Sequence, residues 1–161
     1  MRRFAGRLSS FILFGVFVSS ALGAADGEKF QGRVVGVAAG HAVTVLNEGR
    51  SARVRLFDAQ CPRSDQPFAT AAKKFTATEV FEQLVTVEVK SRDANGVIFA
   101  KIRLPGGRSL SEMLVKQGLA WWNRTAAPDD RRLERLERKA KEARRGLWSD
   151  PNPVSPWKVQ K

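Results

Sequence analysis

The chain has 161 residues, with 28 Lys and Arg against 16 Asp and Glu and a formal charge of +12. That length suits one domain able to bury a real core, and 43% hydrophobic with 27% charged residues is a globular composition that excludes wholesale disorder. One cysteine and one histidine exclude an internal disulfide framework, a thiolate zinc cluster and a histidine-rich metal centre.

Residues 1–25 stand apart from the rest. Arg2, Arg3 and Arg7 form a basic start, and Leu8 through Ala25 carry no charge. An apolar centre from Phe11 to Val18 gives way to small residues from Ser19 to Ala25. A basic start, a short apolar stretch and a small-residue zone read as a secretory signal peptide, cut after Gly23, Ala24 or Ala25. An uncleaved anchor is the alternative, because the uncharged run approaches the ~18 residues a spanning helix needs. Cleavage leaves residues 26–161 as a single exported domain, periplasmic or secreted, with no stable membrane span. Residues 1–24 hold three arginines and no acids, so the remainder keeps twenty-five basic against sixteen acidic residues, a net +9. The basicity belongs to the folded part. Cys61, without an internal partner, reads as a small half-buried residue rather than a reactive thiol.

From Phe30 the pattern is one of short strands. Val34 to Val37 is followed by Val43 to Val45 and then Arg53 to Leu56, with Asn47, Glu48 and Gly49 as the turn between the last two. Val54 and Leu56 share one face, so Arg53 and Arg55 project from the other. Pro67 and Phe68 open a helix with Phe68, Ala71, Ala72 and Phe75 at helical spacing. Val85, Val87 and Val89 alternate with polar residues. Ile98, Ala100, Ile102 and Leu104 do the same after a hairpin turn at Asn95-Gly96.

A short helix carries Leu110, Met113 and Leu114 and ends at Gly118. The longest helix is expected over 129–145, with Leu133, Leu136, Ala140 and Ala143 as its buried stripe and Gly146 as its cap. Its eight basic residues alternate with Asp129, Asp130, Glu134, Glu137 and Glu142, which reads as a solvated face of mixed sign. The tail from Asp150 to Trp157 is proline-rich and irregular. Five short strands with a helix after the third and helices at the end predict an α+β fold. Its core is a five-stranded OB-type Greek-key barrel with about three packed helices.

Val54-Arg55-Leu56, Gln66-Pro67-Phe68, the run Leu114 to Trp121, Leu133-x-x-Leu136-Glu137-x-x-Ala140 and Gly146 to Pro151, followed by Pro156-Trp157, stand in an order and spacing that resembles the thermonuclease-type, staphylococcal nuclease-like family. The resemblance covers roughly Phe30 to Trp157. It implies the OB barrel and an ancestry in calcium-dependent phosphodiester hydrolysis.

The family's Asp-Gly-Asp-Thr motif falls on Ala39-Gly40-His41-Ala42, so His41 stands where a calcium-binding Asp belongs. The motif Arg-Leu-x-Gly-Ile-Asp-Ala-Pro-Glu falls on residues 55–63. Arg55 matches the first catalytic arginine, Gln60 replaces the second Asp ligand, and Arg63 replaces the Glu that activates water. Asp-Arg-Tyr-Gly-Arg falls on residues 93–97, so the second catalytic arginine is Val97. Only Arg55 of these catalytic positions is retained.

Imidazole is a poor calcium ligand, and Gln60 offers an uncharged oxygen. Arg63 stays protonated and cannot act as a base. An intact set of two Asp, one Glu and two Arg carries −1, whereas these residues carry +2. Losing the general base typically costs ~10²–10⁴-fold. The expectation is a nuclease-like domain without phosphodiesterase activity and without a cofactor, calcium being the family's ion. Arg53, Arg55 and Arg63 are its candidate anion-binding residues.

Its expected ligand is a polyanion such as nucleic acid or acidic polysaccharide, or a protein partner. Two alternatives stand beside this reading: an active exported endonuclease with an altered metal site, and a structural accessory of an envelope or exopolysaccharide assembly. A transition-metal site from His41, Asp58 and Cys61 is the weaker metal reading, against a surface-leaning histidine beside a solvated aspartate. Trp121 and Trp122 offer stacking surfaces, with Trp121 more simply read as core. Trp148 and Trp157 read as anchors of the tail. The chain has no tyrosine, so no tyrosine serves a nucleotide pocket.

Overall fold

A computed structural model describes residues 27–158. The signal-peptide reading of residues 1–25 lies outside the described residues.

Five strands close a barrel: β1 (Lys29–Ala39), β2 (Ala42–Asn47), β3 (Arg50–Leu56), β5 (Leu84–Arg92) and β6 (Ile98–Arg103), in the order β1-β2-β3-β6-β5. This is the expected OB-type α+β architecture. Local hairpins join β1 to β2, β2 to β3 and β5 to β6, all antiparallel. Two long-range seams close the barrel: β1 pairs antiparallel with β5, and β3 runs parallel to β6 with Val54 opposite Ile98. The period-two pattern sets the core. Val34, Val45, Val54, Val85, Val87, Val89, Ala100 and Ile102 point inward and are almost fully buried, while their neighbours face solvent.

A two-residue strand β4 (Ala59–Gln60) pairs antiparallel with β7 (Trp121–Trp122), forming a small ribbon outside the barrel. Three α-helices complete the fold: α1 (Ala69–Val80) packs on β1, α2 (Leu110–Lys116) on β6 and α1, and α3 (Arg131–Glu142) on α2 and β7. The buried side of α1 is Ala72, Thr76 and Val80, not the expected Phe68–Ala71–Ala72–Phe75 stripe. The reason is that Phe68 stays outside the helix at φ 65°, so the helical phase starts at Ala69. Phe75 still packs against the core from its edge. Leu110 and Leu114 of α2 are fully buried. Ser109 caps its start, and its side chain accepts from Glu112 N–H.

Helix α3 is shorter than expected. Asp130 is its N-cap, accepting from Leu133 N–H at 3.1 Å, and Ala143 closes it. Arg144 turns left-handed at φ 48°, so the chain leaves the helix before Gly146 and Ala143 is exposed. Glu137 corrects the mixed-sign surface reading. It is 2% exposed and accepts from Trp122 N–H, Arg124 and Lys141. The helix therefore grips the β7 ribbon through a carboxylate.

Gly118 and Gly146 join the ends of α2 and α3. Leu147 N–H donates to Gly118 O at 2.8 Å, and both glycines have positive φ. A Cβ on Gly118 would lie 2.1 Å from Arg145 O. Only residues without a side chain fit that crossing. Among the described residues no helix is long and apolar enough to cross a membrane.

Candidate functional site

Against the outer face of β3 lies a cavity of about 280 Å³ lined by His41, Arg55, Phe57, Gln60, Ser91, Phe99 and Asn123, among others. Three of the five family positions meet here. His41 comes from the turn between β1 and β2, Arg55 from β3 and Gln60 from β4. The register explains the convergence. Ala42 lies opposite Arg55, and Arg55 lies opposite Phe99, while Leu56 N–H donates to His41 O at 2.9 Å.

The β1–β2 turn is held down by its glycine. A Cβ on Gly40 would lie 2.7 Å from both Ala72 Cβ and Cys61 Sγ. Thr76 Oγ donates to Gly40 O at 2.6 Å. Close backbone approach to α1 thus fixes where His41 begins. Cys61 is packed into the same junction at 1% exposure, more deeply than expected, and burial pushes its thiol pKa up. A thiol kept protonated is a weak nucleophile and a weak ligand.

His41 is half-buried, and its Nδ1 is buried with no hydrogen-bond partner among the described residues. Burial, and after it the charge of Arg55, lowers its pKa to about 4, so the imidazole is neutral at pH 7. No hydrogen bond or ion pair engages the Arg55 guanidinium among the described residues. Among the described residues no Asp or Glu lines the cavity.

The other expected residues go elsewhere. Arg53 reaches along the β5–β6 hairpin and donates to Asn95 O at 3.2 Å. Arg63 lies beyond β4 in a turn clamped by Gln66, whose Oε1 accepts from Arg63 N–H at 2.8 Å. Its guanidinium is 3.6 Å from Asp65. Neither arginine lines the cavity, so the expected convergence of Arg53, Arg55 and Arg63 is reduced to Arg55 alone. Val97 is 9% exposed and sits in a turn organised by Asp93, whose Oδ1 accepts from the N–H groups of Asn95 and Val97. Its side chain is outside the cavity lining.

Asp58 is not solvated, contrary to expectation. It is 2% exposed, accepts from Ser111 Oγ at 2.5 Å and lies 3.3 Å from Lys101 Nζ. Lys101 also binds Asp130 at 3.0 Å. The chain Ser111–Asp58–Lys101–Asp130 ties α2, β6 and the cap of α3 together. A carboxylate so engaged is not turned toward His41, and no cluster of three His, Cys, Asp or Glu suited to a metal occurs among the described residues.

Asn123 is the residue that sequence reasoning missed. Its Nδ2 donates to Phe57 O at 3.3 Å, its N–H to Asp58 O at 2.9 Å, and its Oδ1 accepts from Ala126 N–H. It fixes the roof of the cavity. Its only signal in the sequence is that it is the first polar residue after the Trp121–Trp122 pair.

A second hollow of about 360 Å³ shares Gln60 and Asn123 and adds Trp122, Arg124 and Trp157. Trp121 and Trp122 are 6% and 5% exposed, so both are core. The Arg124 guanidinium lies 4.9 Å from the Trp122 ring centroid. Trp121 meets Trp148 and Trp157 edge-on at 5.9 and 6.1 Å. Trp148 anchors the tail, whereas Trp157 leaves 53% of its surface exposed.

The family model described as Staphylococcal nuclease homologue matches residues 53–150. A protein named Micrococcal nuclease from Shigella flexneri is 36% identical over 138 residues, which is 80% of this chain and 79% of its own length. Protein ParB from Escherichia coli is 34% identical over 142 residues, 81% of this chain and 78% of its own. A further Escherichia coli protein, named Uncharacterized endonuclease, is 32% identical over 126 residues, 78% of this chain and 82% of its own. With the barrel, the helices and the placement of Arg55 already in hand, these matches establish that the chain belongs to the staphylococcal nuclease homologue family.

Proposed function

We propose that this chain is an exported nuclease-fold protein that binds an anionic group of a polymer at the Arg55 cavity and does not hydrolyse it. One observation carries the reading: among the described residues, an arginine without a hydrogen-bond or ion-pair partner faces a cavity lined by a neutral imidazole and neutral amides, with no carboxylate. A guanidinium there offers a bidentate fork to phosphate, carboxylate or sulfate.

The donor set does not fit calcium. Calcium takes six to eight oxygen ligands, carboxylates among them, and the two ligand positions hold an imidazole and an amide. Proton abstraction from water is equally unsupported. Arg63 is a permanent cation, and an imidazole with a pKa near 4 is a weak base at neutral pH. Export rests on the basic, apolar and small-residue pattern of residues 1–25.

The alternative, an active exported endonuclease with an altered metal site, is favoured by the names of two relatives, micrococcal nuclease and endonuclease. Digestion of single-stranded and duplex substrates, with calcium, manganese and zinc tested separately, decides between them. The proposal expects no turnover with any metal. It also expects a nucleoside bisphosphate to bind and to shift the His41 resonances. Turnover that disappears in Arg55→Ala overturns it.

A further inference from the structure

Away from the Arg55 cavity, an open groove of about 720 Å³ runs between the end of β6, α2 and α3. Six cations wall it: Arg103, Arg108, Lys116, Arg132, Lys139 and Arg145. They come from β6, the turn after it, α2, α3 and the segment beyond α3, so their meeting is a product of the fold and not of one basic helix. Met113 and Leu136 supply apolar surface between them, and among the described residues the single acid in the lining is Glu112, held by Arg132 at 2.5 Å.

Helix α3 sorts its charges by face to produce this. Arg132, Leu136 and Lys139 line the groove. Glu134 pairs with Arg131 and Glu142 with Arg138, and Glu137 is turned inward. Among the described residues neither Lys116 nor Lys139 has a hydrogen-bond or ion-pair partner for its ammonium group. Arg145 donates to Lys116 O at 3.3 Å, which fixes the far end. Arg103 faces Glu88 at 3.7 Å and Arg108 faces Glu79 at 3.2 Å, so among the described residues the charge left without an acid is that of Lys116, Lys139 and Arg145, and an anion relieves the repulsion between them.

We propose that this groove is a second binding site, sharing no lining residue with the Arg55 cavity, and that it takes the phosphodiester backbone of a single-stranded nucleic acid. Such a strand carries one charge per nucleotide, so successive phosphates can meet the basic side chains that wall the groove in turn. Four of the six are arginines, whose forks match phosphate. Among the described residues no aromatic side chain lines the groove, so bases have no stacking platform there and binding is independent of sequence. The site does not depend on whether the Arg55 cavity is catalytic.

Fluorescence anisotropy of a labelled oligothymidylate, titrated over a series of salt concentrations, tests it. The slope of log affinity against log salt is about −0.7 per phosphate contact on a single strand. Arg108→Ala with Lys116→Ala and Lys139→Ala is expected to shallow that slope by about 2 and to weaken binding at least tenfold at low salt. Lys116→Gln with Lys139→Gln, which breaks no contact in the fold, is expected to shallow it by about 1.4.

Arg55→Gln, and a control removing Arg50, Lys73 and Lys74, are expected to change the slope by less than 1. Nucleoside bisphosphate binding at the Arg55 cavity is expected to survive the groove variants, so failure of one site is told apart from failure of the other. An unchanged slope in both groove variants overturns the proposal, as does an equal loss in the control. Binding of a sulfated polysaccharide without binding of the oligonucleotide overturns the assignment of the ligand.

Discussion

His41 and Arg55 line one cavity, and the guanidinium adds to burial in holding the imidazole neutral, with a pKa of about 4. The chain has one histidine, so its ring protons give a single titration in a proton NMR series. Its midpoint is expected near 4. Arg55→Gln should raise that midpoint without restoring the ordinary value of about 6.5, because burial is the larger cause. The native value lies below the unfolded one. The neutral histidine's contribution to stability is therefore complete above about 6.5 and declines as pH falls toward about 4. A midpoint near 6.5 in the unaltered chain refutes the burial of this side chain.

Restoring carboxylates should restore metal affinity. His41→Asp with Gln60→Asp places two charged oxygens where the cavity now has an imidazole and an amide. Isothermal titration with calcium should show binding with a dissociation constant of about 10⁻⁴–10⁻³ M, while the unaltered chain gives no saturable heat. Equal calcium affinity in both proteins contradicts the donor-set argument.

Glu137 should be a stability residue. Its carboxylate accepts from Trp122 N–H, Arg124 and Lys141 while 2% exposed. Arg124 and Lys141 are well exposed, so removing the acid strands the Trp122 N–H more than it strands a charge. Glu137→Ala should cost about 2–3 kcal/mol in urea unfolding. Glu137→Gln, which keeps an acceptor for Trp122, should cost less than half as much. Equal losses from the two variants refute the role of the backbone hydrogen bond.

The Lys101–Asp130 pair sets opposite pH limits. For Asp130 burial acts upward, but the Leu133 N–H and Lys101 outweigh it and hold the carboxyl below its ordinary value. Its contribution is present above the unfolded carboxyl pKa and is lost as pH falls through the lower native one. For Lys101 burial acts downward, but Asp130 and Asp58 outweigh it and hold the ammonium above its ordinary value. Its contribution is present below the unfolded lysine pKa and is lost as pH rises through the higher native one. Lys101→Met should flatten both limbs of the stability profile, and a profile unchanged at its acid end argues against the pair.

The barrel was legible because its strands obey a two-residue period that no helix shares, as in Val85, Val87 and Val89, and because Asn95-Gly96 marks a hairpin unambiguously. Arg55, His41 and Gln60 were placed together by family spacing, and register brings them to one cavity. Charged side chains were harder to read. Glu137 lies in a run of arginines and lysines, so nothing local distinguishes it from a surface acid. Nothing near Asp58 in sequence marks it as buried, because Ser111 and Lys101 reach it from distant parts of the chain. Arg53 and Arg63 diverge from Arg55 because a hairpin tip and a Gln66-clamped turn claim them. The β4–β7 ribbon is two residues wide, too short to have any periodicity.

The two seams that close the barrel set an order of assembly. Residues up to Leu56 form a three-stranded meander, but β1 and β3 find their outer partners only in β5 and β6, beyond α1. A nascent chain that has not reached Arg103 carries two unsatisfied strand edges. Both closures join segments far apart in sequence, which slows folding relative to a local hairpin. A fragment ending at Phe81 should stay unfolded by circular dichroism. The same delay keeps the outer edges of β1 and β3 open to pairing with other chains until β5 and β6 have been made.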